Sequence, residues 1–497
     1  MRARVCCVAA LLMTCAAHAD LLIAEDGASD YAIVLPDEPT PEETHAAEEL
    51  AHLFRAATSA ELPVVARAER PDAKRILVGA TALEVAPEVA ELEGDAFIVR
   101  TVGDDLALAG KPPRGTLYAV FDFLEREVGC RWFNWYGEQF VPDLQRLSTG
   151  AVARREEPAF IARDIYFHHN STEQQMRDFL VRSRVTGPAT RNLLDEPGYG
   201  GSVHKYGGRG VHTLFHYVSP DDHFGQHPEW FSFLSGRRQA QQLCFTNPEL
   251  RDAMTEAIRT QSASMTGVRN ISISAQDRGG PFCECPECRA LVEREGCPGG
   301  PLYDYIVEIA DAVAEDYPDV YVTTLAYRHN QSEEPPTNLE MSDNVIIVFA
   351  PIDGNFAAPL EDPSNAETLA NITRWPEHSE HLWVWYYTNP YGAGAGLPIG
   401  NLGRLYDDMR LFKRVGVEGF FIEHDTGIAQ MHLLADLQTW LLAKLMWEPE
   451  RDLQALIEDF TDHYYGAAAP AIREYIALLE AETAAKELSL RWTTRPG

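Results

Sequence analysis

Basic residues are scarce. The chain of 497 residues carries 42 Lys+Arg against 75 Asp+Glu, a formal charge of −33. That shortage argues against nucleic acid or an anionic membrane surface as partner, since both are met by clustered Lys and Arg. It argues equally against a highly anionic polymer as substrate. Long apolar runs are missing too, which argues against a membrane span. No internal repeat and no low-complexity tract is found. Cysteine is sparse, with nine in the whole chain. Apolar material is ample: 45% of residues are hydrophobic and 10% aromatic, enough for a large packed core.

The opening segment reads as an export signal. Arg2 and Arg4 supply positive charge, Val5 to Ala17 form a short apolar stretch, and Ala17-His18-Ala19 is a small-residue cleavage site before Asp20. Residues 1–19 are therefore expected to be removed and the mature chain to be secreted or periplasmic. Losing Arg2 and Arg4 takes the charge from −33 to −35.

Residues 20–155 read as a small α+β accessory domain. Strands are expected at Leu21 to Ile23, Tyr31 to Leu35, Leu62 to Val65, Arg75 to Val78, Ala96 to Thr101 and Leu106 to Ala109. Thr40-Pro41-Glu42-Glu43 is a capping box with proline at the first helical position. The helix it opens carries Ala47, Leu50, Ala51 and Phe54 on one face. A second helix, Arg114 to Glu127, carries Leu117, Val120, Phe121 and Leu124 likewise.

From residue 156 to 447 strands and helices alternate. Eight strands are expected: Ile161 to Phe167, Arg191 to Leu194, Val211 to Val218, Ile271 to Ala275, Val320 to Ala326, Val345 to Ala350, Leu382 to Tyr387 and Gly419 to Glu423. That arithmetic is that of an α/β chain folded as a (β/α)8 TIM-like barrel, with a doubly wound open sheet as the alternative. Residues 448–497 read as C-terminal helices packed outside the barrel.

Barrel chemistry sits at the carboxyl ends of the strands. Two strands run there into acids, Asp277 and Glu423, with Asp425 beyond. Two carboxylates at one barrel mouth are what glycosidic cleavage needs: one donates a proton to the leaving oxygen, the other stabilises or orients the attacking group. Each also fits the plainer job of capping the next helix. Aromatic side chains at the same ends, Trp383, Trp385, Tyr387, Tyr327 and Tyr391, with Tyr166 and Trp230, offer flat faces for sugar rings. His216, Arg163, Arg328, His212 and His329 are candidates for binding hydroxyl or carboxylate groups.

Six cysteines remain after the leader. Cys283, Cys285, Cys288 and Cys297 crowd into one short stretch, spaced for a structural zinc site or for disulfides, with Cys244 as an alternative fourth member. Four thiolates leave no open position for water, so no catalytic metal is expected there and no cofactor is required for the reaction.

Several strings together resemble a known family. Arg114-Gly115-Thr116-Leu117-Tyr118-Ala119-Val120 with Gly129-Cys130-Arg131-Trp132 is similar to the N-terminal domain shared with α-glucuronidases. His227-Pro228-Glu229-Trp230-Phe231, Gln242 to Pro248 and the Cys283 to Cys288 motif resemble the exported bacterial proteins of domain of unknown function 4838, a group that includes glycoside hydrolase family 163. The resemblance implies a TIM-like barrel behind an accessory domain. It also implies endo-β-N-acetylglucosaminidase activity on complex N-glycans, in which the substrate's own acetamide attacks the anomeric carbon. On that scheme Glu423 is the acid and Asp277 orients the acetamide. The chain departs from the family pattern in carrying Gln276, where asparagine usually precedes the aspartate, and in having no β domain before Gly497. The expected partner is an oligosaccharide or a glycoprotein glycan. An α-glucuronidase-like hydrolase and a non-catalytic glycan-binding barrel are the alternatives.

Overall fold

The computed structural model describes residues 20–69, 73–167, 172–187, 193–203, 206–265, 269–389, 398–425 and 434–492. The leader expected at residues 1–19, and Tyr391, lie outside them.

The amino-terminal layer is a mixed six-stranded sheet. Its spatial order is Ala153–Glu156, Phe97–Val102, Asp105–Gly110, Lys74–Val78, Tyr31–Leu35 and Val64–Ala66, the first three antiparallel and the rest parallel. Helix Pro41–Thr58 starts as its sequence dictates, with Thr40 and Glu43 bonded in a reciprocal capping box. Its apolar stripe meets helix Gly115–Phe123, which is buried along its whole length.

The second layer is an α/β half-barrel. Six parallel strands, β1 (Ala162–Phe167), β2 (Arg269–Ser272), β3 (Val320–Tyr327), β4 (Val345–Ala350), β5 (His381–Tyr387) and β6 (Gly419–Asp425), lie in the order β1-β6-β5-β4-β3-β2. β4 is buried at every residue, as expected for a parallel strand covered on both faces. Helices Gly300–Ala314, Ala366–Arg374, Leu402–Val415 and Ala435–Trp447 alternate with the strands.

Two of the eight expected strands are not found among the described residues. Leu193–Asp195 is a single tight turn and Leu214–Tyr217 is a short helix. Irregular chain continues the wall in their place. Thr186 N–H donates to Arg163 O (2.8 Å), Val203 N–H to Thr186 O (3.2 Å), Gly207 N–H to Asn270 O (2.9 Å) and Thr213 N–H to Ser274 O (3.0 Å). These single bonds link β1 to residues 184–187 and Val203, and residues 206–213 to β2. Two staves of the wall are thus loops, satisfied bond by bond where a ladder is absent.

Strand alternation sorts the side chains. Ala162, Leu325, Ile346, Val348 and Trp383 form a buried cluster inside the sheet, while Val322, Ile347, Val384 and Ile422 face the helices. β6 opens with Gly419 because a Cβ there would stand 2.8 Å from Ala162 Cβ and 3.1 Å from the Trp383 ring. After helices Leu453–Tyr465 and Ala469–Ala485 the chain returns to the strand ends. There Phe356 N–H donates to Leu490 O (2.7 Å) and Leu490 N–H to Asn355 Oδ1 (2.9 Å). Among the described residues no helix is long and apolar enough to cross a membrane.

Candidate active site

A cavity of about 470 Å³ opens at the carboxyl ends of the strands, lined by His212, Asp277, Tyr327, Arg328, Trp385, Tyr387, Glu423 and Trp492 among others. Asp277 follows β2 and Glu423 sits on β6. The two strands are four places apart in the sheet. Both carboxylates line the cavity.

Glu423 pairs in register with Tyr166 of β1 and Tyr387 of β5, so its side chain points inward with theirs. One layer deeper, Trp385 Nε1–H donates to Glu423 Oε2 at 2.8 Å. The Trp385 ring is held in turn against Phe421, with centroids 4.2 Å apart. An indole has no acceptor, so this bond fixes Oε2 as the accepting oxygen.

Asp277 is held differently. Its Oδ1 accepts from Arg328 (3.0 Å) and from the Tyr327 hydroxyl (3.4 Å). The Arg328 guanidinium lies between two rings, 4.7 Å from the centroid of Tyr327 and 4.7 Å from that of Trp492. Burial opposes its charge, but the Asp277 hydrogen bond and the charges of Asp277 and Asp353 hold it above the usual guanidinium range. Burial pushes the Tyr327 phenol well up, so it stays a donor.

His212 closes the remaining side. Its Nδ1 lies 2.7 Å from Ala275 O, and because a carbonyl only accepts, Nδ1 carries the proton and Nε2 is the nitrogen available to a ligand. His212 (φ 53°) and Arg328 (φ 62°) both adopt left-handed backbone, which non-glycine residues rarely tolerate.

Of the residues singled out in the sequence, Asp277, Glu423, Trp385, Tyr387, Tyr327, Arg328 and His212 thus meet in one cavity. Others do not. Trp383 lies deeper, in the buried cluster inside the sheet, because it stands two residues before Trp385 on the strand whose end faces the cavity. Arg163 stands at the start of β1 on its outward face. It is fully buried, bonded to Asp95 Oδ2 (2.7 Å), Arg184 O (2.7 Å) and Phe160 O (2.7 Å), and it pins the amino-terminal layer to the barrel. His216 is exposed on the short helix that replaces an expected strand. His329 turns outward to Thr368, Glu333 and Glu367. The side chain of Asp425 lies outside the described residues. Trp492 was missed, since a lone aromatic after the last helix carries no pattern.

The cysteines regroup as well. Cys244, Cys283, Cys285 and Cys288 come together, all buried. Cys297 does not join them, because the ten-residue helix Pro286–Glu295, about 15 Å long, carries the chain away before it. Burial pushes the Cys297 thiol up to about 12.

A family model described as "Domain of unknown function (DUF4838)" matches residues 132–477. No curated protein sequence matches the chain. Among solved structures, a family GH115 4-O-methyl-alpha-glucuronidase with specificity for decorated arabinogalactans is similar with a TM-score of 0.57 at 12% identity, over 93% of this chain and 62% of that one. This chain thus spans less than two thirds of that enzyme, whose fold it shares. A beta-N-acetylhexosaminidase from Bacteroides fragilis NCTC 9343 gives a TM-score of 0.48 at 12% identity, over 96% of this chain and 97% of that one. A GH138 enzyme targeting pectin rhamnogalacturonan II gives 0.43 at 11% identity, over 91% and 55%.

Proposed function

The chain belongs to the DUF4838 family, and from that premise we propose that it is an exported glycoside hydrolase acting on β-linked N-acetylglucosamine in complex glycans. The observation that carries the proposal is the meeting of Glu423 and Asp277 in one aromatic-walled cavity at the strand ends. Glu423 acts as the acid. With Oε2 accepting from Trp385, its proton sits on Oε1, from which it passes to the leaving oxygen. Asp277, fixed by Arg328 and Tyr327, orients the substrate acetamide, whose carbonyl oxygen attacks the anomeric carbon from the opposite side. Trp385, Tyr387 and Trp492 supply faces for the sugar. No cofactor takes part. Export rests on the signal-like residues 1–19.

Mass spectrometry of glycans released from a complex N-glycoprotein by the mature chain, beside Glu423→Gln, tests the substrate. The proposal expects free glycans ending in one N-acetylglucosamine, absent with the variant. Release of nothing by the folded wild type would remove that substrate.

One observation favours a second reading. Arg328 is a cation lining the cavity, and a uronic acid carboxylate would suit it. Hydrolysis of α-glucuronides and of no N-acetylglucosaminide would establish that reading instead.

A further inference from the structure

Four buried cysteines, one after a hairpin and three in the chain beyond Asp277, meet in one cluster. Cys244 follows the hairpin strand Arg237–Leu243, Cys283 and Cys285 lie in the loop after β2, and Cys288 is in the first turn of helix Pro286–Glu295. Their sulfurs all lie within 4.8 Å of one another. Cys244 Sγ stands 3.7 Å from Cys285 Sγ and 3.7 Å from Cys283 Sγ. A tetrahedron with Zn–S bonds of about 2.3 Å has S···S edges of about 3.8 Å. A sulfur equally far from two others is a corner of such a figure and does not single out one partner for a disulfide.

The surroundings suit thiolates. Phe233 N–H donates to Cys283 Sγ (3.2 Å) and Cys288 N–H to Cys285 Sγ (3.5 Å). The Thr246 hydroxyl lies 3.3 Å from Cys288 Sγ, and the Arg238 guanidinium reaches Cys244. Such outer contacts orient the ligands and offset their charge.

We propose that Cys244, Cys283, Cys285 and Cys288 bind one structural Zn²⁺, and that this knuckle fixes the loop carrying Asp277. Binding releases the four thiol protons, and four protein ligands leave the metal no open position for chemistry. The loop is gripped on both sides of Asp277 by the same hairpin. Ahead of it, Gln242 Nε2–H donates to Gln276 O (2.8 Å) and Gln276 N–H donates to Gln242 Oε1 (3.1 Å). Behind it, Cys244, two residues along from Gln242, shares the metal with Cys283 and Cys285. Zinc here is a positioning device.

Elemental analysis of the purified full chain tests this. The expected content is one zinc per chain, kept in Cys297→Ser and lost in Cys285→Ser. Cobalt exchanged into the wild type should show the intense visible bands of tetrahedral thiolate coordination. Should Cys285→Ser fail to fold, peptide mapping of the wild type without reductant still decides. Disulfide-linked peptides among the four cysteines, metal-free thiols, or iron in place of zinc would each overturn the proposal.

Discussion

Trp385 lies one layer beneath Glu423 on the neighbouring strand and donates its indole N–H to the glutamate's Oε2 at 2.8 Å. The bond occupies Oε2 as an acceptor, and it comes from a ring itself wedged against Phe421. Trp385→Phe keeps the wedge and removes the donor. As the proton leaves, Glu423 becomes a carboxylate, and a hydrogen bond to that charge contributes about 1.5–3 kcal/mol, so kcat should fall about 10- to 100-fold with the melting temperature nearly unchanged. Steady-state kinetics beside a thermal melt checks this.

Arg328 positions Asp277 while stacked between Tyr327 and Trp492. Arg328→Met should lower kcat on an N-acetylglucosaminide more than it raises KM, because the acetamide loses its orienting group and little binding surface. A variant that instead loses affinity for a uronide would favour the glucuronidase reading. Parallel kinetics on both substrate classes separates the two.

The amino-terminal layer is latched to the barrel by buried charge. Glu125, wholly buried against the Lys444 ammonium and near Arg184, would be pushed up by burial alone. The positive charges of Lys444, Arg184 and Arg451 outweigh that and hold it far below the usual glutamate value of 4.5. A carboxyl depressed in the fold adds stability above its unfolded value and loses it as pH falls. Wild-type stability should therefore drop on acidification below about pH 4.5 more steeply than that of Glu125→Gln. At neutral pH the variant leaves Lys444 buried without its partner charge, costing about 3–5 kcal/mol. Denaturant titrations at several pH values test both parts.

Gly400 touches the backbone of the last long helix. A Cβ there would stand 2.4 Å from Glu480 N and 2.4 Å from Glu480 Cα, backbone atoms that cannot swing aside. Gly400→Ala should destabilise by about 1–3 kcal/mol, read as a lower unfolding midpoint. Because that helix leads to Trp492, activity should fall with it.

Much of this architecture is legible in the sequence, for identifiable reasons. Val345 to Ala350 is an unbroken apolar run, and a strand buried on both faces has no other pattern to show. Thr40 to Glu43 announces its helix with the side chains that cap it. Glu423 and Asp277 could be found because barrel strands end in their chemistry. The two irregular staves could not be found, because their pairing rests on scattered single bonds such as Thr186 to Arg163. Arg163 misleads because a strand's start and end look alike in sequence, and only register puts it on the outward face. Cys297 misleads because closeness along the chain says nothing of a helix intervening, whereas Cys244, about forty positions before Cys283, is close only in the fold.

The role of Glu423 is tested most directly by its leaving-group dependence. An acid matters most when the departing sugar oxygen needs a proton and little when a nitrophenolate departs unaided. Glu423→Gln should lose about 10²- to 10⁴-fold in kcat on a natural glycan and far less on the nitrophenyl glycoside of the same sugar. Equal turnover by wild type and Glu423→Gln on both substrates would contradict the account.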